Sequence, residues 1–92
     1  MPVDIARIIQ EYVVLPDDVD HAVRCRVVEF LDADPLLRYG WEISHYCKGT
    51  KSALGAYRPS RTRGDSVDEV EKMMLAYANN FTGIGVEPNP YY

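Results

Sequence analysis

The chain has 92 residues, 47% hydrophobic and 26% charged, with a net charge of −4 and a pI near 5.0. This is one domain's worth of ordinary globular composition and not that of a disordered chain. No run approaches the roughly 18 apolar residues of a membrane helix, so a small soluble domain is expected.

Residues 1–4 carry no basic or apolar leader, so the cytoplasm is the expected location. A reducing compartment would keep the two cysteines, Cys25 and Cys47, as thiols.

Residues 4–13 place Ile5, Ile8, Ile9, Tyr12 and Val13 at spacings of three and four. That spacing predicts a first helix, with Pro2 and Asp4 at its start and Pro16 past its end. The competing reading is a short strand over residues 12–15, where β-branched residues cluster. Asp17, Asp18 and Asp20 then suit the positive end of a helix dipole. Val19, Val23, Val27, Phe30 and Leu31 form a stripe behind them. The stripe predicts a second helix that ends near residues 32–34, before Pro35.

From Trp41 the period becomes two. Trp41, Ile43, His45 and Cys47 alternate with Glu42, Ser44 and Tyr46, as in a half-buried strand. Residues 48–51 read as a turn. Residues 52–57 read as a second strand, interrupted at Gly55 and ended by Pro59, which gives a β-hairpin. Ser66 and Glu69 then form a capping box. Val67, Val70, Met74, Tyr77, Ala78 and Phe81 share one helical face behind it, and Gly83 follows as a C-terminal cap. Only one of Met73 and Met74 can point squarely into the core. Residues 84–92 are an extended tail that holds Pro88 and Pro90 and ends on Tyr91 and Tyr92. A third strand could come from residues 84–87 or from a second copy of the chain. The expected fold is α+β: a single small domain, residues 1–92, in the order α-α-β-β-α, with a β-hairpin packed against helices.

The net charge is a difference of opposed blocks. Residues 1–35 hold eight acids and three bases, whereas residues 48–63 hold five bases and no acid. The bases are Lys48, Lys51, Arg58, Arg61 and Arg63. Three of these arginines precede the Ser66 helix start, whose amides and dipole favour an anion. Guanidinium binds phosphate and carboxylate through paired hydrogen bonds. Arg58, Arg61, Arg63 and Ser66 are therefore a candidate anion site, which Lys48, Lys51 and the Tyr57 hydroxyl could join if the hairpin folds over. Its ligand would be a phosphorylated or carboxylated small molecule such as a nucleotide, or an acidic protein surface. Asp65, Asp68, Glu69 and Glu71 follow at once and oppose it, so a loop neutralised by the chain's own acids is the alternative. Acidic flanks argue against nucleic acid, which needs several phosphates neutralised together.

His21, Cys25, His45 and Cys47 are the right types for tetrahedral zinc. Their spacing matches no familiar zinc pattern, and buried cysteine behaves as a small hydrophobe, so no metal is expected. No nucleophile elbow, acid/base pair or Gly-rich phosphate loop is present, so neither a cofactor nor catalysis is expected. The functional expectation is a non-enzymatic binding or regulatory module that acts by protein–protein contact, with homo-oligomerisation as one form of it. Its size suits a bacterial or phage accessory factor. The alternative is the anionic small-ligand binder.

Overall fold

The computed structural model describes residues 5–31, 33–90 and 92. Strand β1 (Ala6–Val14) pairs antiparallel with β2 (Val23–Phe30), and β2 pairs antiparallel with β3 (Tyr39–Ile43). After β4 (His45–Tyr46) the chain makes a long excursion. It returns as β5 (Arg63–Gly64), which closes the four-stranded sheet in the order β1-β2-β3-β5. Helix α1 (Val67–Asn79) then packs on one face of the sheet, and β6 (Glu87–Pro88) pairs with β4 in a second, two-stranded sheet. The order α-α-β-β-α is therefore incorrect: where two helices were expected, the chain forms the two longest strands.

The second expected helix fails because a spacing of four fits two templates. Val23 and Val27 lie on one face of a helix, but four is also an even number, so they lie on one face of a strand. Arg24 and Arg26 decide between them, because Val23, Cys25 and Val27 are fully buried while Arg24 is exposed. Asp17, Asp18 and Asp20 sit in the turn between β1 and β2, not at a helix start. Asp32, one of the expected end residues, lies outside the described residues, as do Pro2, Asp4 and Tyr91.

The first expected helix fails through a β-bulge. The register slips between Ile8 and Gln10, and one extra residue reverses which parity faces the core. Ile8 pairs with Val28 on one face, while Gln10, Tyr12 and Val14 pair with Val27, Cys25 and Val23 on the other. An interrupted alternation imitates helical spacing. The competing strand reading at residues 12–15 holds for Tyr12 to Val14, but the strand starts at Ala6 and ends before Leu15; Ile5, Ile8 and Val13 are each more than half exposed.

The expected hairpin survives in part. Its first strand breaks at Ser44, whose N–H donates to Arg24 O and whose O accepts from Asn89 N–H. Residues 52–57 are not a strand; a Tyr57 N–H to Cys47 O bond, 2.9 Å, closes that loop. β3 takes β5 instead, with Tyr39 opposite Gly64 and Gly40 opposite Arg63. The tail supplies an extra strand slightly later than expected, with Glu87 opposite Tyr46.

Helix α1 is where it was expected. Ser66 Oγ accepts the Glu69 N–H at 3.2 Å. Val70 and Met74 are fully buried against Val23, Cys25, Val27, Trp41 and Ile43. Met74 is thus the core methionine, and Met73 is only half-buried. Gly83 does not cap the helix; Asn80 does. Gly83 instead sits so close to Asp18 that a Cβ there would lie 2.5 Å from Asp18 O.

Candidate functional site

The cations of the basic segment are drawn in different directions. Arg61 pairs with Glu69 of α1, so Glu69 does not reach back to complete the capping box. Arg63 Nε donates to Leu37 O at 3.1 Å, and its guanidinium lies 3.9 Å from the Phe30 ring. Arg58 faces Glu87 at 3.8 Å and the Tyr46 ring at 5.7 Å, beside the two-stranded sheet. A Cβ at Gly85 would meet the Lys48 stem, and Lys51 is exposed. Tyr57 turns toward α1 and stacks on Tyr77, with ring centroids 5.9 Å apart. A cleft of about 500 Å³ does gather Arg61, Arg63 and Gly64, but Asp65 and Glu69 line it too. The structure therefore brings Arg61 and Arg63 to one cleft, whose lining does not include Ser66, sets Tyr57 beside Arg61 in a second cleft, and includes Arg58, Lys48 and Lys51 in neither lining.

The zinc-type residues are also divided. His21 and His45 face each other with ring centroids 4.7 Å apart, and Ser44 Oγ lies 2.8 Å from His45 Nδ1. Burial, with His21 adding to it, holds the His45 pKa below its ordinary value. Cys25 is a core residue whose thiol pKa is raised by burial. Cys47 Sγ accepts the Thr82 N–H at 3.3 Å. Among the described residues no group of three or more His, Cys, Asp and Glu side chains is arranged to hold a metal ion.

Three features escaped the sequence reading. The first is Glu29, 4% exposed. Its carboxylate lies between Arg7, at 2.6 Å, and Arg38, at 2.5 Å. The hydrogen bond from Arg38 is the main cause that holds the Glu29 pKa below its ordinary value. Three residues from two strands and a turn meet there, and no sequence period marks such a meeting.

The second is an aromatic cleft of about 500 Å³ between β3, α1 and residues 47–61. Trp41, Tyr57, Tyr77 and Met73 line it. The Tyr77 hydroxyl accepts the Cys47 N–H at 3.1 Å and donates to Tyr57 O at 2.6 Å. One phenol thus ties two points of the excursion, Cys47 and Tyr57, to the helix. Burial is the main cause that pushes the Tyr77 pKa up to about 12, so the phenol keeps its proton at neutral pH.

The third is β1 itself. It is nine residues long and forms an edge of the four-stranded sheet. Among the described residues no strand lies along its outer side. Ile5 (56%), Ile8 (52%), Val13 (52%) and Leu15 (75%) expose half or more of their surface along it.

No family model matches the chain, and neither a curated protein nor a solved structure shows significant similarity to it.

Proposed function

We propose that this chain is a non-enzymatic binding module that works by protein–protein contact, and that its first partner is a second copy of itself, met along β1. The observation that supports this is the edge of β1, which no strand covers among the described residues, with its apolar ends. A strand edge offers a row of unpaired N–H and C=O groups, and proteins usually blunt such edges with lysine, proline or short length. β1 is long and carries neither lysine nor proline; the charges of Arg7 and Glu11 and the bulge at Ile8 to Gln10 protect its middle and leave the apolar ends open.

The strand is self-complementary when reversed. Antiparallel pairing of two β1 strands sets the apolar start, Ile5 and Ile8, beside the apolar end, Val13 and Leu15, of the other copy. A twofold axis produces both contacts at once, as an isologous interface requires. The joined sheet removes one exposed edge from each copy.

Hydrogen exchange tests this reading. Outward-facing β1 amides should gain protection as protein concentration rises, while amides of α1 and β3 stay unchanged. β1 protection that is independent of concentration would refute it. The small-anion reading has less support, because Arg58, Arg61 and Arg63 all have partners within the chain.

A further inference from the structure

We infer that His21 and His45, brought together where the β1–β2 turn meets β4, form a two-histidine site for a late divalent transition-metal ion, Ni²⁺ or Cu²⁺. The inference is independent of the β1 contact.

The chain has two histidines, and the fold sets them side by side. His21 lies just before β2, and His45 opens β4. Their ring centroids are 4.7 Å apart and the rings are tilted by 32°. Imidazole suits these ions, and with a metal–nitrogen bond of about 2.0–2.1 Å its ring centroid stands about 3.2 Å from the ion. Two centroids 4.7 Å apart then subtend an angle of about 95° at the ion. That is the angle between neighbouring ligands of a square-planar or octahedral ion, whereas tetrahedral zinc would hold the rings farther apart.

The other nitrogen of each ring is already engaged. His21 Nδ1 lies 3.4 Å from Ala22 O, and His45 Nδ1 lies 2.8 Å from Ser44 Oγ. A carbonyl only accepts, so neutral His21 carries its proton on Nδ1 and keeps a lone pair on Nε2. Ser44 Oγ accepts the Arg24 N–H at 2.8 Å and has a second lone pair for the His45 Nδ1–H. The ion selects that tautomer of His45. Metal-binding histidines are oriented in this way, by a hydrogen bond from the nitrogen that does not bind. Neither Nε2 has a hydrogen-bond partner among the described residues.

The spacing is held by the backbone. Ser44 N–H donates to Arg24 O at 2.7 Å while Ser44 Oγ takes the Arg24 N–H, so the residue before His45 is tied twice to β2. A site already in place spares the ion the ordering cost of building one. Among the described residues no third His, Cys, Asp or Glu completes the group. His21 is exposed and His45 half-buried, so water reaches the ion and fills its other positions.

Calorimetric titration of the chain with nickel chloride at neutral pH tests this. The native chain should bind one Ni²⁺. His21→Ala and His45→Gln should each weaken binding about tenfold or more, because each leaves a single imidazole. Excess Ni²⁺ should raise the melting temperature of the native chain, since the ion joins the turn to β4, and should raise that of neither variant. Melts without metal establish that each variant is folded; His21 is exposed, so its replacement leaves the fold in place. Mg²⁺, which takes oxygen ligands, should neither bind nor stabilise. A native chain that binds no Ni²⁺ would overturn the inference. So would undiminished binding by either variant, or stabilisation by Mg²⁺ equal to that by Ni²⁺.

Discussion

Glu29 is a carboxylate almost wholly removed from water, held between Arg7 and Arg38. Glu29 is buried while Arg7 and Arg38 reach it from the surface, so Glu29→Gln replaces two charge-assisted hydrogen bonds with weaker ones and should lower the melting temperature at pH 7. The pH dependence follows from the lowered pKa. The protonated carboxyl is disfavoured in the folded chain relative to the unfolded one. Its contribution is therefore complete above the unfolded value near 4.5 and is lost as pH falls through the lower, folded value. Melts between pH 7 and pH 3 should show a steep acid limb in the native protein and a shallower one in Glu29→Gln. Equal limbs would show that Glu29 does not control it. Gly83 gives a second test. A Cβ there meets Asp18 O at 2.5 Å, and Asp18 Oδ2 already accepts the Gly83 N–H at 2.7 Å. Gly83→Ala should cost about 1–3 kcal/mol by overpacking, read as a lower denaturation midpoint. In the sequence this glycine resembles a helix cap, because the Asp18 loop that crowds it lies 65 residues away.

Helix α1 was legible because its signals are local: Ser66 at the cap, Glu69 three residues on, and a stripe without competing parity. Ser66→Ala should cost about 1 kcal/mol, the usual value of an N-cap hydroxyl. The methionine pair separates core from cleft. Met74→Ala should cost about 2–5 kcal/mol, whereas Met73→Ala, at a half-buried position, should cost clearly less; urea melts measure both. Strands β1 and β2 were misread because their evidence is ambiguous within the chain. Val23 and Val27 satisfy a helix and a strand equally, and the bulge at Ile8 to Gln10 hides the alternation of β1. The partner of β3 was misplaced for a different reason. Residues 52–57 lie nearer in sequence, but the long-range pairing of Gly40 with Arg63 takes the position. A Cβ on Gly40 would come 2.8 Å from the Phe30 ring, so this glycine lets Phe30 close over the strand.

Within the basic segment, Arg58 and Arg61 pair with Glu87 and Glu69, which follow it in sequence. These two arginines thus meet acids from the C-terminal part of the chain, not from the acidic residues 1–35. The cleft that does gather arginines shares its lining with acids. That pairing was one of the two readings open from the sequence. The surface that was not legible is the edge of β1, since a sequence read as helix assigns Ile5, Ile8 and Val13 to the core. Their exposure is the ground for the proposal that a second copy of the chain takes the sheet edge. Sedimentation velocity over a range of protein concentrations tests this most directly, with the native chain compared with the Ile8→Lys, Val13→Lys double variant. The account predicts a monomer–dimer equilibrium for the native chain and a folded monomer for the variant. A native chain that remains monomeric at the highest concentration, or a variant that dimerises equally well, would contradict it.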